Sequence, residues 1–283
     1  MAEERLRTRV HGGSRTLGVI GWPVSHSLSP TIHNSAFIAM DLDWVYVPMP
    51  VPPGELPAAV DGLRALGFAG ANVTMPHKAE AAELVDVRSE DAERLGAVNT
   101  LVVGPDGVAG HNTDAPGFDR FLRRDAGFDP QGRSALIFGG GGAARACALA
   151  LAGGGLDRLE VALRDPSRAR ELERALEGSA TQVAAIGFDE APALRVDLVI
   201  NATPLGLHGE EIPAPPMYPE MLVVDLLYRP SATPLLTAAR GAGAAAFGGL
   251  GLLLHQAALS FELWTGMAPP LEVMSAAALA ELT

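Results

Sequence analysis

Ala135-Leu136-Ile137-Phe138-Gly139-Gly140-Gly141-Gly142-Ala143-Ala144 is a short apolar run that enters four consecutive glycines and leaves through small residues. A strand, a glycine turn and a helix in that order are a variant of the dinucleotide-binding fingerprint. Glycines let the backbone turn tightly and approach a pyrophosphate, and the helix start offers N–H donors and the positive end of its dipole. The next apolar run, Leu159 to Leu163, is the second strand of the unit. A site for NAD places an acidic residue at the end of that strand to hold the ribose 2′-hydroxyl. Here Leu163 stands there, followed by Arg164 and, four residues on, Arg168. Two guanidiniums suit a 2′-phosphate, so the expected cofactor is NADP, with Asp165 between the arginines as the one discordant charge.

Outward from this unit, the second half reads as a βαβ series. A small-residue helix covers Ala143 to Ala152 and another helix Ser167 to Leu176. Further strands are expected at Gln182 to Ile186, Leu198 to Asn201, Leu222 to Asp225 and Ala244 to Phe247. Strands alternating with helices imply a parallel, doubly wound α/β sheet. The first third also alternates, with strand signals at Thr16 to Ile20, Trp44 to Pro48 and Gly70 to Thr74. Helix signals fall at Ser29-Pro30 (Ser as N-cap, Pro at N1), Leu56 to Leu66, Lys78 to Leu84 and Ser89 to Leu95. Val98 to Val103 and Val108 to His111 form a hairpin around Pro105-Asp106-Gly107. The boundary between two domains falls near Asp114 to Pro116, and the helices after about Gly249 fit either domain.

A chain of 283 residues is long enough for two domains, and 48% hydrophobic against 19% charged residues supports sizeable cores. The net charge of −12 argues against nucleic acid and anionic membrane surfaces as partners. The single cysteine, Cys147, rules out an internal disulfide and fits a reducing, cytoplasmic setting. The polar, Arg-rich first dozen residues are read as a disordered lead-in without a secretory h-region. Gly241 to Phe261 is apolar and uncharged, but Gly248-Gly249, Gly251 and His255-Gln256 interrupt it, so it reads as strand, turn and buried helix rather than a membrane span. Lys78 is the only lysine among 21 basic residues. Lysine supplies a compact amine that titrates, which arginine does not.

The remaining chemistry clusters in the first third. Gly21 to Pro30 puts Ser27 and Ser29 at a helix start, a small anion site suited to a carboxylate. Asn72 to Lys78, Ala97 to Thr100 and Asn112 to Asp114 place amides, hydroxyls, an amine and a carboxylate at the ends of apolar strands, where open α/β sheets hold ligands. Such a set suits a polyhydroxylated carboxylic acid. His26, His33, His77 and His111 lie nearby, but no spacing forms a metal triad, and they are read as structural.

Together these segments resemble shikimate dehydrogenase from Gly18 to Gly266. They are Ser-x-Ser-Pro (Ser27 to Pro30), Asn-Val-Thr-x-Pro-x-Lys (Asn72 to Lys78), Ala-Val-Asn-Thr (Ala97 to Thr100) and Asn-Thr-Asp (Asn112 to Asp114), then Asn-Ala-Thr-Pro-x-Gly (Asn201 to Gly206), Asp-x-x-Tyr-x-Pro (Asp225 to Pro230) and Gly-Leu-Gly…Gln (Gly249 to Gln256). The resemblance implies reversible, NADP-dependent reduction of 3-dehydroshikimate to shikimate in aromatic amino-acid biosynthesis, by a monomer or homodimer. It implies an N-terminal α/β substrate domain (1–114, completed by helices of about 250–283) and a C-terminal Rossmann-type NADP domain (115–249), with the active-site cleft between them. By the same resemblance Ser27 and Ser29 hold the substrate carboxylate with Tyr228 near it. Thr74, Lys78, Asn99, Asp114 and Gln256 bind the ring hydroxyls. Lys78 is the acid/base, paired with Asp114. Gly139, Gly140, Gly141, Gly142, Ala143, Arg164 and Arg168 bind the cofactor, Leu226 and Gly249 line the nicotinamide pocket, and Glu90 stands where an acidic residue near the cofactor is common.

The chain departs from the family pattern in four places. Gly-Gly-Gly-Gly-Ala replaces Gly-Ala-Gly-Gly-Ala, Leu163-Arg164-Asp165 replaces Asn-Arg-Thr, and Leu226 and Leu252 stand where Met is common. The nearest rival within the resemblance is a quinate or dual quinate/shikimate dehydrogenase using NAD or NADP. Ser29 rather than Thr, and Arg164 rather than an acid, favour shikimate and NADP. From another class, a catalytically silent NADP-binding regulator is disfavoured by the presence of both Lys78 and Asp114.

Overall fold

The computed structural model describes residues 10–282, except for the side chain of Arg168. Most of the expected polar lead-in therefore lies outside the described residues. The chain divides into two compact units, one running to Thr113 and resuming at Gln256, the other spanning Asp114–His255.

The first unit opens on β1 (Arg15–Gly21), α1 (Ser29–Ala39), β2 (Trp44–Pro50), α2 (Leu56–Ala65), β3 (Gly70–Val73) and α3 (Lys78–Leu84). It continues through β4 (Val87–Arg88), α4 (Glu90–Leu95), β5 (Thr100–Gly104) and β6 (Gly107–His111). The six strands form one sheet in the order β2-β1-β3-β5-β6-β4. β1 is parallel to both β2 and β3, because α1 and α2 carry the chain back between them. The β5–β6 hairpin adds antiparallel to β3, so the sheet is mixed. Buried Ile20, Leu56, Val60, Ala71, Val73 and Leu101 belong to a core under the sheet. β4 has only two residues, too short to leave a period in the sequence.

This order has a consequence for function. β3 and β6 end, and β5 begins, at the same edge of the sheet, since Asn72 pairs with Thr100 and Thr100 with His111. The polar residues that follow or precede these strands are thereby collected in one place.

The second unit holds α5 (Asp114–Arg124), β7 (Ser134–Phe138), α6 (Gly142–Gly153), β8 (Arg158–Leu163) and α7 (Arg170–Ala175). After these come β9 (Gln182–Gly187), β10 (Leu198–Asn201), β11 (Leu222–Asp225), α8 (Pro234–Gly241) and β12 (Ala245–Gly248). All six strands run parallel in the order β12-β11-β10-β7-β8-β9, a doubly wound sheet whose order reverses between β10 and β7. β7, β10 and β11 are buried along almost their whole length, as strands covered on both faces must be. The expected helix from Ser167 is corrected: Pro166–Ala169 is a 3-10 turn, and the α-helix starts only at Arg170. The Asp165 carboxylate accepts from the Ser167 amide and hydroxyl at 3.1 and 2.7 Å, which favours the tight turn over a regular helix start.

Gly241 to Phe261 is strand, turn and helix, as expected. α9 (Leu250–Thr265) passes from the second unit to the first between His255 and Gln256, and α10 (Leu271–Leu282) ends the described chain against α1. Among the described residues no helix is long and apolar enough to cross a membrane.

Candidate active site

In the first unit Thr74 and Asn99 adjoin strand ends that meet at one sheet edge. Pro30 occupies the first turn of α1, where its missing N–H costs nothing. The N-cap is Leu28, not Ser29, and no side chain caps the helix. This corrects the expected role of Ser29, whose amide instead faces the Ser27 hydroxyl at 3.3 Å. Ser29 is buried beside the Tyr46 phenol, and Ser27 is half-buried. Both hydroxyls are therefore left for something other than helix capping.

Thr74 follows β3 and, with His77, makes the turn that leads into α3; the His77 amide donates to the Thr74 carbonyl at 3.0 Å. Lys78 is the first residue of α3 and is half-buried. Its carbonyl accepts from the Val98 amide at 2.8 Å, which ties this helix start to the segment before β5. His77 is turned away from ligand chemistry, because its buried ring contacts the Val51 carbonyl at 2.7 Å. That agrees with its structural reading.

Asn99 is buried and held from two sides. Its Nδ2 donates to the Thr113 hydroxyl at 2.9 Å, and its Oδ1 accepts from the Thr113 amide at 2.8 Å. Asn72, by contrast, is not a free amide at the strand exit. Its Oδ1 accepts from the Tyr46 hydroxyl at 2.6 Å, and its Nδ2 reaches the Asn99 carbonyl, the Thr100 hydroxyl and the Ser260 hydroxyl at 3.0–3.1 Å. Burial pushes the Tyr46 phenol far above its ordinary range, so it stays a neutral donor in this network. Gln256, on α9, is buried, and its carbonyl accepts from the Ser260 hydroxyl one turn later.

In the second unit the glycine loop separates into two kinds of position. Gly139 has φ +105°, and a Cβ there would come within 3.0 Å of the Ala202 carbonyl oxygen. It is needed by the fold itself. Gly141 has φ −74° and, like Gly142, has nothing within 4 Å of where a Cβ would stand. Their lack of a side chain answers no internal contact and leaves the start of α6 open, with Ala143 exposed beside it. A Cβ at Gly140 would touch only the tip of Leu163. Arg164 follows β8 and is exposed; Arg168 lies in the 3-10 turn, its side chain outside the described residues. An open helix start with an exposed guanidinium beyond the next strand is the donor set that a phosphorylated dinucleotide requires.

Leu226 and Gly249 are brought together: a Cβ on Gly249 would lie 2.0 Å from the Leu226 carbonyl oxygen. Tyr228 is half-buried, and burial raises its phenol above the ordinary value. Asp114 opens α5 and is half-buried. Glu90 opens α4 in the first unit and is exposed. Among the described residues no group of three or more His, Cys, Asp or Glu side chains could hold a metal ion.

The model of the shikimate dehydrogenase substrate binding domain matches residues 19–101, and that of the shikimate 5′-dehydrogenase C-terminal domain matches residues 249–279. The shikimate dehydrogenase (NADP(+)) of Rubrobacter xylanophilus is 47% identical over 274 residues, 94% of this chain and 96% of that protein. The chain belongs to the shikimate dehydrogenase family. A crystal structure of a shikimate dehydrogenase in complex with NADP+ matches with a TM-score of 0.90 at 36% identity, over 97% of this chain and 98% of that one. A quinate dehydrogenase from Corynebacterium glutamicum, solved with NAD, matches with a TM-score of 0.87 at 32% identity, over 94% and 99%.

Within this shikimate dehydrogenase fold, the leading residues of two of the family motifs prove to be framework. Asn201 and Asp225 end neighbouring strands β10 and β11 and bond to each other at 2.9 Å. Asn201 also accepts from the Thr203 amide and hydroxyl, and Asp225 from the Leu227 amide and the Thr233 hydroxyl. Burial raises the Asp225 carboxyl, against the lowering effect of those donors. This closed clamp shapes the loops after both strands, the one carrying Leu226 and Tyr228 among them. Ser260 and Tyr46 were missed from sequence, because a serine in an apolar helix and a tyrosine in a strand carry no spacing signal.

Proposed function

We propose that this chain catalyses the reversible, NADP-dependent reduction of 3-dehydroshikimate to shikimate. What supports the reading is that Thr74, Lys78 and Asn99 adjoin strand ends at one sheet edge of the unit that matches the substrate binding domain, and that Ser27, Ser29 and Gln256 belong to the same unit. That set contains hydroxyls for a carboxylate, amides for ring hydroxyls, and a single amine.

The open start of α6 and the exposed Arg164 fit NADP, which when bound supplies or accepts the hydride. Gly139 to Gly142, Ala143 and Arg164, with Arg168, would hold it, Leu226 and Gly249 would line the nicotinamide pocket, and Glu90 stands where an acidic residue near the cofactor is common in the family. The rest is work for the protein's own groups. Ser27 and Ser29, with the N–H groups of the first turn of α1, hold the substrate carboxylate, and Tyr228 assists. Thr74, Asn99 and Gln256 orient the ring through its hydroxyls. Lys78 gives a proton to the carbonyl oxygen of 3-dehydroshikimate, or takes it from the corresponding shikimate hydroxyl, and Asp114 orients that exchange.

Lys78→Met tests this directly. Wild-type protein should oxidise shikimate with NADP, and the variant should lose roughly 10²–10⁴-fold in turnover, the usual worth of a general acid/base. Lys78→Arg should be nearly as impaired, because a guanidinium does not give up its proton. A folded Lys78→Met protein with wild-type turnover would remove Lys78 from this role.

A further inference from the structure

We propose that Ser260 is a positioning residue for the substrate site, coupling the face of α9 that carries Gln256 to the strand ends that carry Asn99 and Thr74. The inference rests on the proposed shikimate site. Ser260 belongs to none of the sequence motifs, and it is completely buried in an apolar helix between Leu259 and Phe261.

A serine inside a helix can satisfy its own proton by donating to the carbonyl four residues back. Ser260 does this, with Gln256 as the acceptor at 3.0 Å. Its oxygen also accepts from Asn72 and lies close to two threonine hydroxyls, which share their single protons between Ser260 and Asn99. Asn72 Nδ2 lies at 3.0 Å, the Thr100 hydroxyl at 2.8 Å and the Thr113 hydroxyl at 3.2 Å. Each partner adjoins a candidate site residue. Asn72 sits on β3, two residues before Thr74. Thr100 follows Asn99 and donates to its Oδ1 at 3.0 Å. Thr113 holds the Asn99 side chain from the other side.

Gln256 and Ser260 are four residues apart and so share one face of α9. A shift or rotation of that face moves the Gln256 side chain and releases the network that fixes Asn99. The fold does not depend on this link alone. Trp264, one more turn along the same face, donates its Nε1–H to the Leu101 carbonyl at 2.9 Å and keeps α9 docked.

The test compares wild type, Ser260→Ala and Ser260→Cys in steady-state oxidation of shikimate by NADP, with thermal melting of each. Cysteine keeps most of the volume but is a weak hydrogen-bonding partner. Both variants should stay folded and raise the KM for shikimate about tenfold, the worth of roughly one buried hydrogen bond. The KM for NADP should stay within about twofold. Three outcomes overturn the proposal: a wild-type shikimate KM in Ser260→Ala, full recovery in Ser260→Cys, or an equal rise in both Michaelis constants. Wild-type protein inert toward shikimate would overturn the underlying reading, and this inference with it.

Discussion

Lys78 and His33 show how differently a titratable side chain can be used within one unit. Lys78 is half-buried at the start of α3, and its rarity made it legible in the sequence. His33 is fully buried in α1, with its ring 4.5 Å from that of Tyr46 and nearly parallel to it. Burial lowers its pKa to about 3, against a smaller opposing effect of Asn72. The folded state therefore keeps His33 neutral where the unfolded chain, titrating near 6.5, takes up a proton. Stability from this residue is complete above pH ~6.5 and falls by about 1.4 kcal/mol per pH unit below it, down to pH ~3. His33→Phe should flatten that dependence. In urea unfolding at pH 7 and pH 4.5, wild type should lose roughly 2–3 kcal/mol more than the variant. Equal losses would mean that His33 is protonated in the folded protein. Ser29 marks the limit of reading at this scale. Ser before Pro suits an N-cap, but whether the helix begins one residue earlier depends on Leu28 adopting a helical conformation, which no local preference dictates.

At the scale of elements, alternating apolar runs and glycine turns made nearly every strand visible, since strands buried on both faces must be continuously apolar. What stayed hidden was set by contacts between elements. The 3-10 turn at Pro166–Ala169 is favoured by Asp165, and that capping role accounts for the carboxylate between Arg164 and Arg168. The glycine loop looked uniform in sequence, yet only some of its glycines serve the fold. Gly139→Ala should lower the melting temperature, because of its positive φ and its close approach to the Ala202 carbonyl. Gly141→Ala should melt like wild type but raise the KM for NADP at least about tenfold, because the new methyl occupies the space a phosphate would use. If Gly141→Ala binds NADP normally, the loop does not hold the pyrophosphate. Arg164→Ala, at the end of β8, should cost about 1–3 kcal/mol of NADP preference while leaving NAD kinetics nearly unchanged. Retention of the full preference would place the 2′-phosphate elsewhere.

For the whole molecule, two α/β units divide the labour: a mixed sheet gathers hydroxyls, amides and one amine at an edge, and a parallel sheet presents an open helix start. The motifs announced both halves because polar groups at strand ends interrupt apolar runs. The network behind them was silent, since Tyr46, Thr100 and Ser260 are ordinary residues made important only by meeting in space. The fold is shared with a quinate dehydrogenase solved with NAD, so architecture alone does not choose substrate and cofactor. In the proposed function that choice is assigned to Ser29 and Arg164. The decisive measurement is kcat/KM of the wild-type protein for shikimate and for quinate, each with NADP and with NAD. Shikimate with NADP should exceed each of the other three combinations by at least about tenfold, the equivalent of one charge-assisted contact. Preference for quinate, or for NAD, would contradict the account.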